Sequence, residues 1–175
     1  MTLQSKLDAF KADFEAGKPP YNVPYSVIET MHRATAELIA SGAAQKALKA
    51  GDRLPDFTLS DPDGNPVSSA DLLAHGPLVI SFYRGVWCPY CNMELQALQE
   101  VLPQFEALGA RLVAISPQNP VNSRKSVRQN NLTFPILSDP HNDVAAAFGL
   151  RFEMQDYLVE LYKALKNDLP AFNGD

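Results

Sequence analysis

The segment Phe82-Tyr83-Arg84-Gly85-Val86-Trp87-Cys88-Pro89-Tyr90-Cys91-Asn92-Met93-Glu94-Leu95 contains both cysteines of the chain, and its reading decides the rest. It runs from an apolar stretch, through a short loop, into an amphipathic one. That is the pattern of a buried strand followed by a helix entered through a cysteine. Pro89 suits the first helical position, because the N–H it lacks would have had no partner there. Cys88 is then the N-cap, where free backbone N–H groups and the positive end of the helix dipole favour a thiolate. Cys91, three residues on, shares that face and lies within reach of a disulfide. Arg84 adds positive charge nearby.

Three blander readings compete with a redox pair. A structural disulfide closing so short a loop would be a weak staple, worth roughly 2 kcal/mol in the chain-entropy model. Structural zinc needs four ligands, and the three histidines, His32, His75 and His141, are not paired at metal spacing. Inert buried thiols would leave the helix-entry placement of Cys88 without a use. A reversible dithiol–disulfide couple uses both cysteines and calls for no cofactor and no metal.

Working outward, Pro77 to Tyr83 is a continuous apolar run and predicts a strand buried on both faces. A helix follows from Pro89 to Leu108 on the spacing of Leu95, Leu98, Leu102, Phe105 and Leu108, with Pro103 inside it as a kink and Gly109 as its stop. Arg111 to Ser116 is a second buried strand, Asn122 to Asn130 a polar helix, and Phe134 to Leu137 a short strand. Asn142 to Phe148 and Met154 to Lys166 read as helices, with Phe148 and Phe152 in the core. Upstream, Asp56 to Ser60 and Pro66 to Ser68 are short strands around an Asp61-Pro62-Asp63-Gly64-Asn65 turn. Strands alternating with helices predict an α/β fold with a mostly parallel sheet.

The first fifty residues are different in texture. Leu3, Leu7, Phe10 and Phe14 lie on one helical stripe that ends at Gly17-Lys18-Pro19-Pro20. A second helix is expected from Ser26, with Ser26 and Glu29 at capping-box spacing and a stripe of Ile28, Met31, Thr35, Leu38 and Ile39. Residues 1–50 thus form an N-terminal helical extension, a packing annex or dimer surface, and residues 51–175 the α/β domain.

Composition excludes several function classes. The 175 residues carry a net charge of −5, which argues against a nucleic-acid surface. Hydrophobic residues make up 46%, enough for a core, while no apolar run approaches the ~20 residues of a membrane span. Lys6, Asp8, Lys11 and Asp13 interrupt the amino-terminal segment, so it lacks the apolar stretch of a secretory signal. The expectation is a soluble, cytoplasmic protein.

Trp87-Cys88-Pro89-Tyr90-Cys91 resembles the active site of the thioredoxin superfamily. Gly51-Asp52-Arg53-Leu54-Pro55-Asp56-Phe57-Thr58-Leu59, Asp63-Gly64, Ile115-Ser116 and Phe134-Pro135-Ile136-Leu137-Ser138-Asp139-Pro140 resemble, in order, peroxiredoxins of the alkyl hydroperoxide reductase/thiol-specific antioxidant family. The resemblance covers about residues 50 to 150. It implies a thioredoxin-like, peroxiredoxin-type three-layer sandwich and thiol-based redox activity. On the family's motif Cys91 falls at the peroxidatic position and Glu94 on the family's glutamate. Arg84 stands where the family has proline, and Cys88 where it has threonine. This matches a peroxiredoxin-like subgroup with a thioredoxin-style C-x-x-C. The resemblance also implies a closing β-hairpin and helix, which this sequence lacks after Asn173-Gly174-Asp175. The far edge of the strand 78–83 is therefore expected to be bare and open to self-association, possible as a homodimer.

Three functions follow. The first is a disulfide reductase with Cys88 as nucleophile and Cys91 as resolving thiol. The second is a thiol peroxidase acting on hydroperoxides, with Cys91 peroxidatic and Cys88 resolving. The third is a redox-responsive binding module without turnover. Arg84, Trp87, Pro89 and Glu94 are supporting residues in the first two, and a thiol reductant such as thioredoxin or glutathione is the expected partner.

Overall fold

The computed structural model describes residues 2–174; Met1 and Asp175, at the ends of the segments discussed above, lie outside the described residues. Three helices come first: α1 (Leu3–Glu15), α2 (Tyr25–Ala40) and the short α3 (Ala43–Lys46). Then follow β1 (Thr58–Ser60), β2 (Pro66–Ser68), α4 (Ser69–Leu73), β3 (Leu78–Phe82), α5 (Pro89–Ala107) and β4 (Arg111–Ser116). The chain continues through α6 (Pro120–Asn130), β5 (Ile136–Ser138), a 3-10 turn at Pro140–Asn142, α7 (Asp143–Ala147), α8 (Asp156–Ala164) and α9 (Leu169–Asn173).

The sheet order is β2-β1-β5-β4-β3. β3, β4 and β5 are parallel, and the β1–β2 hairpin adds antiparallel to β5. β4 is the central strand and shows why the sandwich has three layers. Leu112 and Ala114 pack on one face with Leu95 and Leu102 of α5, while Val113 and Ile115 pack on the other with Phe57, Val144 and Phe148. That is the period-two alternation of a strand covered on both sides.

β3 has one strand neighbour among the described residues, β4, and sits at the sheet edge. Of its five residues only Ser81 is fully buried, whereas β4 is buried from Leu112 to Ser116. The apolar run that predicts full burial of both strands is therefore correct for β4 and overstated for β3, because strand order, not composition, sets how many neighbours a strand has.

Local chemistry sets the helix ends. Asn119 caps α6 by accepting the Asn122 N–H at 3.0 Å, so that helix starts at Pro120 rather than Asn122. α5 runs unbroken through Pro103, and Gly109 at φ +72° follows its end. α2 corrects the expected cap: it starts at Tyr25 after an extended Pro24, and Ser26 lies inside the first turn with no capping bond. Its buried face is Ile28 and Ala34, with Met31 packed beside them, whereas Ile39 is 74% exposed. Phe152 is also exposed rather than in the core.

The annex is fastened at three places. Phe10 meets Tyr90 edge-on at 4.8 Å and Tyr21 at 5.4 Å. Met31 and Ala34 of α2 pack with Leu158 and Tyr162 of α8 around Trp87. The Leu48 N–H donates to the Phe148 carbonyl at 3.1 Å. Among the described residues, no helix is long and apolar enough to cross a membrane.

Candidate active site

Cys88 occupies the N-cap of α5 with extended backbone, and Pro89 the first turn, as the sequence requires. Three donors converge on Cys88 Sγ. They are the Cys91 backbone N–H at 3.4 Å, the Cys91 thiol at 2.7 Å and Arg84 Nη2 at 3.2 Å. Both cysteines are free thiols, and both are shielded: Cys88 is 1% exposed and Cys91 8%.

The two thiols are driven apart in acidity. The hydrogen bond from Cys91 and the facing Arg84 guanidinium outweigh burial and hold the Cys88 thiol down at about 6. Cys91, which donates that bond and is itself buried beside the Cys88 thiolate, is pushed strongly up. Burial alone would lower the Arg84 pKa, yet the facing Cys88 thiolate raises it, so this side chain stays charged.

Arg84 is held in place by residues distant in sequence. Nη1 donates to the Tyr162 hydroxyl on α8 at 3.1 Å, and the guanidinium lies 4.9 Å from the centre of the Trp87 ring. Trp87 in turn meets Tyr162 edge-on at 5.0 Å. Its buried indole N–H has no hydrogen-bond partner among the described residues. Gly85, at φ +154°, has no side chain because a Cβ there would collide with that indole nitrogen.

Behind the loop lies a buried polar network. The Gln118 side chain, fully buried, accepts the Val86 N–H at 2.7 Å and donates to the Tyr83 hydroxyl and to Ser126 Oγ, each at 3.1 Å. Asn92 Nδ2 donates to the Val86 carbonyl at 2.8 Å, and Asn130 Nδ2 donates to Asn92 Oδ1 at 3.0 Å. These bonds fix residues 83–88 at both the N–H and the C=O of Val86. Sequence reasoning missed Gln118, Tyr162, Asn92 and Asn130; the one signal available was Gln118, a polar residue just after the buried strand 111–116, since polar residues on amphipathic or polar helices are unremarkable.

Of the residues singled out from sequence, Arg84, Trp87, Cys88, Pro89 and Cys91 come together. Glu94 does not join them. It is exposed, it accepts a 3.4 Å hydrogen bond from Ser81 Oγ, and no hydrogen bond links it to either sulfur. Among the described residues no group of three or more His, Cys, Asp or Glu is placed to hold a metal.

Two clefts flank the motif, and Arg84 and Trp87 line both. One, of about 640 Å³, opens at the ends of β3 and β4 beside Ser116 and Pro117. The other, of about 680 Å³, lies between the annex and α8.

A parallel-centred α/β sandwich with a dithiol at the entry of the helix after β3 defines a thioredoxin-like protein of the peroxiredoxin type. The chain belongs to the AhpC/TSA family, whose model matches residues 50–165. A relative in Mycobacterium tuberculosis that carries a provisional peroxiredoxin name is 37% identical over 110 residues, 63% of this chain and 69% of its own. Thiol-disulfide oxidoreductase ResA of Geobacillus thermodenitrificans is 31% identical over 105 residues, 59% of each chain. The crystal structure of peroxidoxin BcpB from Mycobacterium tuberculosis superposes with a TM-score of 0.59 at 32% identity, covering 61% of this chain and 70% of that one.

Proposed function

We propose that this thiol oxidoreductase reduces disulfides, with Cys88 as the attacking thiolate and Cys91 as the resolving thiol. One observation carries the reading: the three donors on Cys88 Sγ, which make it the thiolate of the pair at neutral pH. With Cys88 1% exposed, reaction begins when the Arg84 or Trp87 side chain swings aside and opens a cleft to the sulfur. Cys88 S⁻ attacks one sulfur of the substrate disulfide, forming a mixed disulfide and expelling a thiolate. Cys91 gives its proton to that leaving thiolate and attacks Cys88 Sγ. The second substrate thiolate leaves, and the Cys88–Cys91 disulfide has passed two electrons to the substrate. An external dithiol or two monothiols, thioredoxin or glutathione in chemical kind, regenerate the reduced pair. The reducing cytoplasm is the compartment in which such a couple is kept ready.

A Cys91→Ser variant should accumulate a mixed disulfide through Cys88 with a disulfide substrate, visible by mass spectrometry. No adduct under conditions where the parent turns over would overturn the mechanism.

The second reading is a peroxidase in which Cys91 attacks a hydroperoxide and Cys88 resolves the sulfenic acid. Family membership and the peroxiredoxin names of relatives favour it. The raised pKa of Cys91 and its role as donor to Cys88 oppose it. Sulfenic-acid trapping in Cys88→Ser under limiting peroxide separates the two. Labelling far faster than that of a free thiol would establish the peroxidase; labelling at the free-thiol rate would exclude it.

A further inference from the structure

The cleft between the annex and α8 has the form of a ligand site. Its walls are apolar, with Phe14, Met31, Leu38, Trp87, Tyr90 and Leu158 among its lining. Its volume of about 680 Å³ falls within the 300–1,000 Å³ typical of small-molecule sites. At the rim, Glu15 is already matched by His32 at 2.7 Å and Lys11 at 3.9 Å. Beside the motif, the charge in the lining is Arg84, with which no carboxylate pairs among the described residues. Its negative partner is the Cys88 thiolate. Tyr162 occupies one further N–H, so several of its five donors remain free.

That arrangement makes the charge balance of the cleft depend on the redox state. In the reduced protein the Cys88 thiolate neutralises Arg84. When the dithiol gives two electrons and its remaining proton to a substrate disulfide, the Cys88–Cys91 disulfide carries no charge. Arg84 is then left at the edge of an apolar cleft with only the Tyr162 hydroxyl and the Trp87 ring beside it. We infer that the oxidised protein binds an amphiphile with one small anionic head, a carboxylate on an apolar chain, with the head on Arg84 and the chain between α1, α2 and α8. The reduced protein binds it weakly, because the thiolate already balances the guanidinium charge and repels a second anion. By linkage the ligand stabilises the disulfide form, and each tenfold preference lowers the potential of the couple by about 30 mV. This redox linkage rests on the Cys88/Cys91 couple proposed above; the site itself does not.

Trp87 is the single tryptophan of the chain, so its fluorescence reports on the cleft directly. Decanoate, kept below micelle formation, is titrated into oxidised and reduced protein at slightly alkaline pH, with decanol and acetate as the neutral and the short control. Equilibrium dialysis with labelled decanoate supplies an independent affinity. The oxidised protein should bind decanoate at least tenfold more tightly than the reduced protein and more tightly than decanol, with acetate not bound. Decanol binding should be indifferent to redox state. A variant with both Cys88→Ser and Cys91→Ser, which has no thiolate, should bind decanoate as the oxidised parent does. Arg84→Met should erase the preference for decanoate over decanol, and Leu38→Asp should weaken both. Equal affinity of the two redox states for decanoate overturns the redox linkage, and equal affinity of decanoate and decanol in the serine variant overturns the site. If the couple fails to turn over disulfides, the serine variant still tests the site, so the two failures are distinguishable.

Discussion

The two sides of the C-x-x-C loop are built from opposite materials. On the inner side, buried Gln118, Tyr83 and Asn130 and half-buried Asn92 hold the backbone of residues 83–88 through hydrogen bonds. On the outer side, Arg84, Trp87 and Tyr162 meet through a guanidinium–ring contact, one hydrogen bond and an edge-on aromatic pair, between two open clefts. Buried polar groups lose free energy when any partner is missing, so the inner side is stiff. The outer contacts are made by an exposed arginine and two aromatic rings, and they lie over a sulfur that is 1% exposed. Position is set from within; charge and access are set from without.

If this division holds, substitutions on the two sides should have different signatures. The largest effect belongs to the outer side. Arg84→Met removes a donor and a charge from Cys88 Sγ, so the thiol should move from about 6 toward the ordinary ~8.5. The rate of Cys88 alkylation at neutral pH should fall roughly tenfold or more, since each unit of pKa is a factor of ten in thiolate. The pH profile of alkylation measures this, while the melting temperature should change little below pH 6, where the Cys88 thiol is protonated with or without Arg84.

The inner side should show the reverse. Gln118→Ala orphans the Val86 N–H and removes a donor from Tyr83 and Ser126, at roughly 1–3 kcal/mol for each buried group left unsatisfied. Urea unfolding should record a loss of that order, with the alkylation profile of Cys88 displaced far less than by Arg84→Met. A loss of stability equal in the two variants below pH 6, where the Cys88 thiolate contributes nothing, would dissolve the distinction.

The depressed pKa of Cys88 also has a stability consequence, with a definite sign. The unfolded thiol takes up its proton near 9, the folded one only near 6. The contribution to stability is full above 9, diminishes as pH falls toward 6 and is gone below it. Reduced parent should therefore lose stability relative to Cys88→Ser on acidification across that window and stay parallel to it below. Cys91, shifted the other way, acts only above 9, where the unfolded thiol ionises first.

The smallest effect concerns the annex. Phe10→Ala removes edge-on contacts with Tyr90 and Tyr21, each worth roughly 0.5–1.5 kcal/mol. Global stability should drop by about 1–3 kcal/mol, the two contacts together. Amide exchange should quicken in residues 3–15 while staying unchanged at Val86, and Cys88 alkylation should become modestly faster as the cover over Tyr90 loosens.

What the sequence by itself determined is local. A strand, a short loop and Cys88-Pro89 at a helix entry are set by neighbours within a few residues, through burial patterning, the missing proline N–H and the helix dipole. So are β4 from Arg111 to Ser116 and the glycine stop at Gly109, and these lie where periodicity and capping place them. The thioredoxin-like class follows from that order of elements. The tertiary structure decided everything that depends on which distant residues meet. Arg84 is separated from Tyr162 by 78 residues and Val86 from Gln118 by 32, and no spacing rule links such pairs. Glu94, three residues after Cys91, has its carboxylate on Ser81 rather than on a sulfur, because side-chain direction on α5 is set by packing. Ile39 and Ala34 both suit an amphipathic stripe, and it took α8 on one side of α2 to bury the alanine and leave the isoleucine in water. Hydrophobic pattern says that a face will be covered; only the folded chain decides by what, and so which charge stands beside the sulfur.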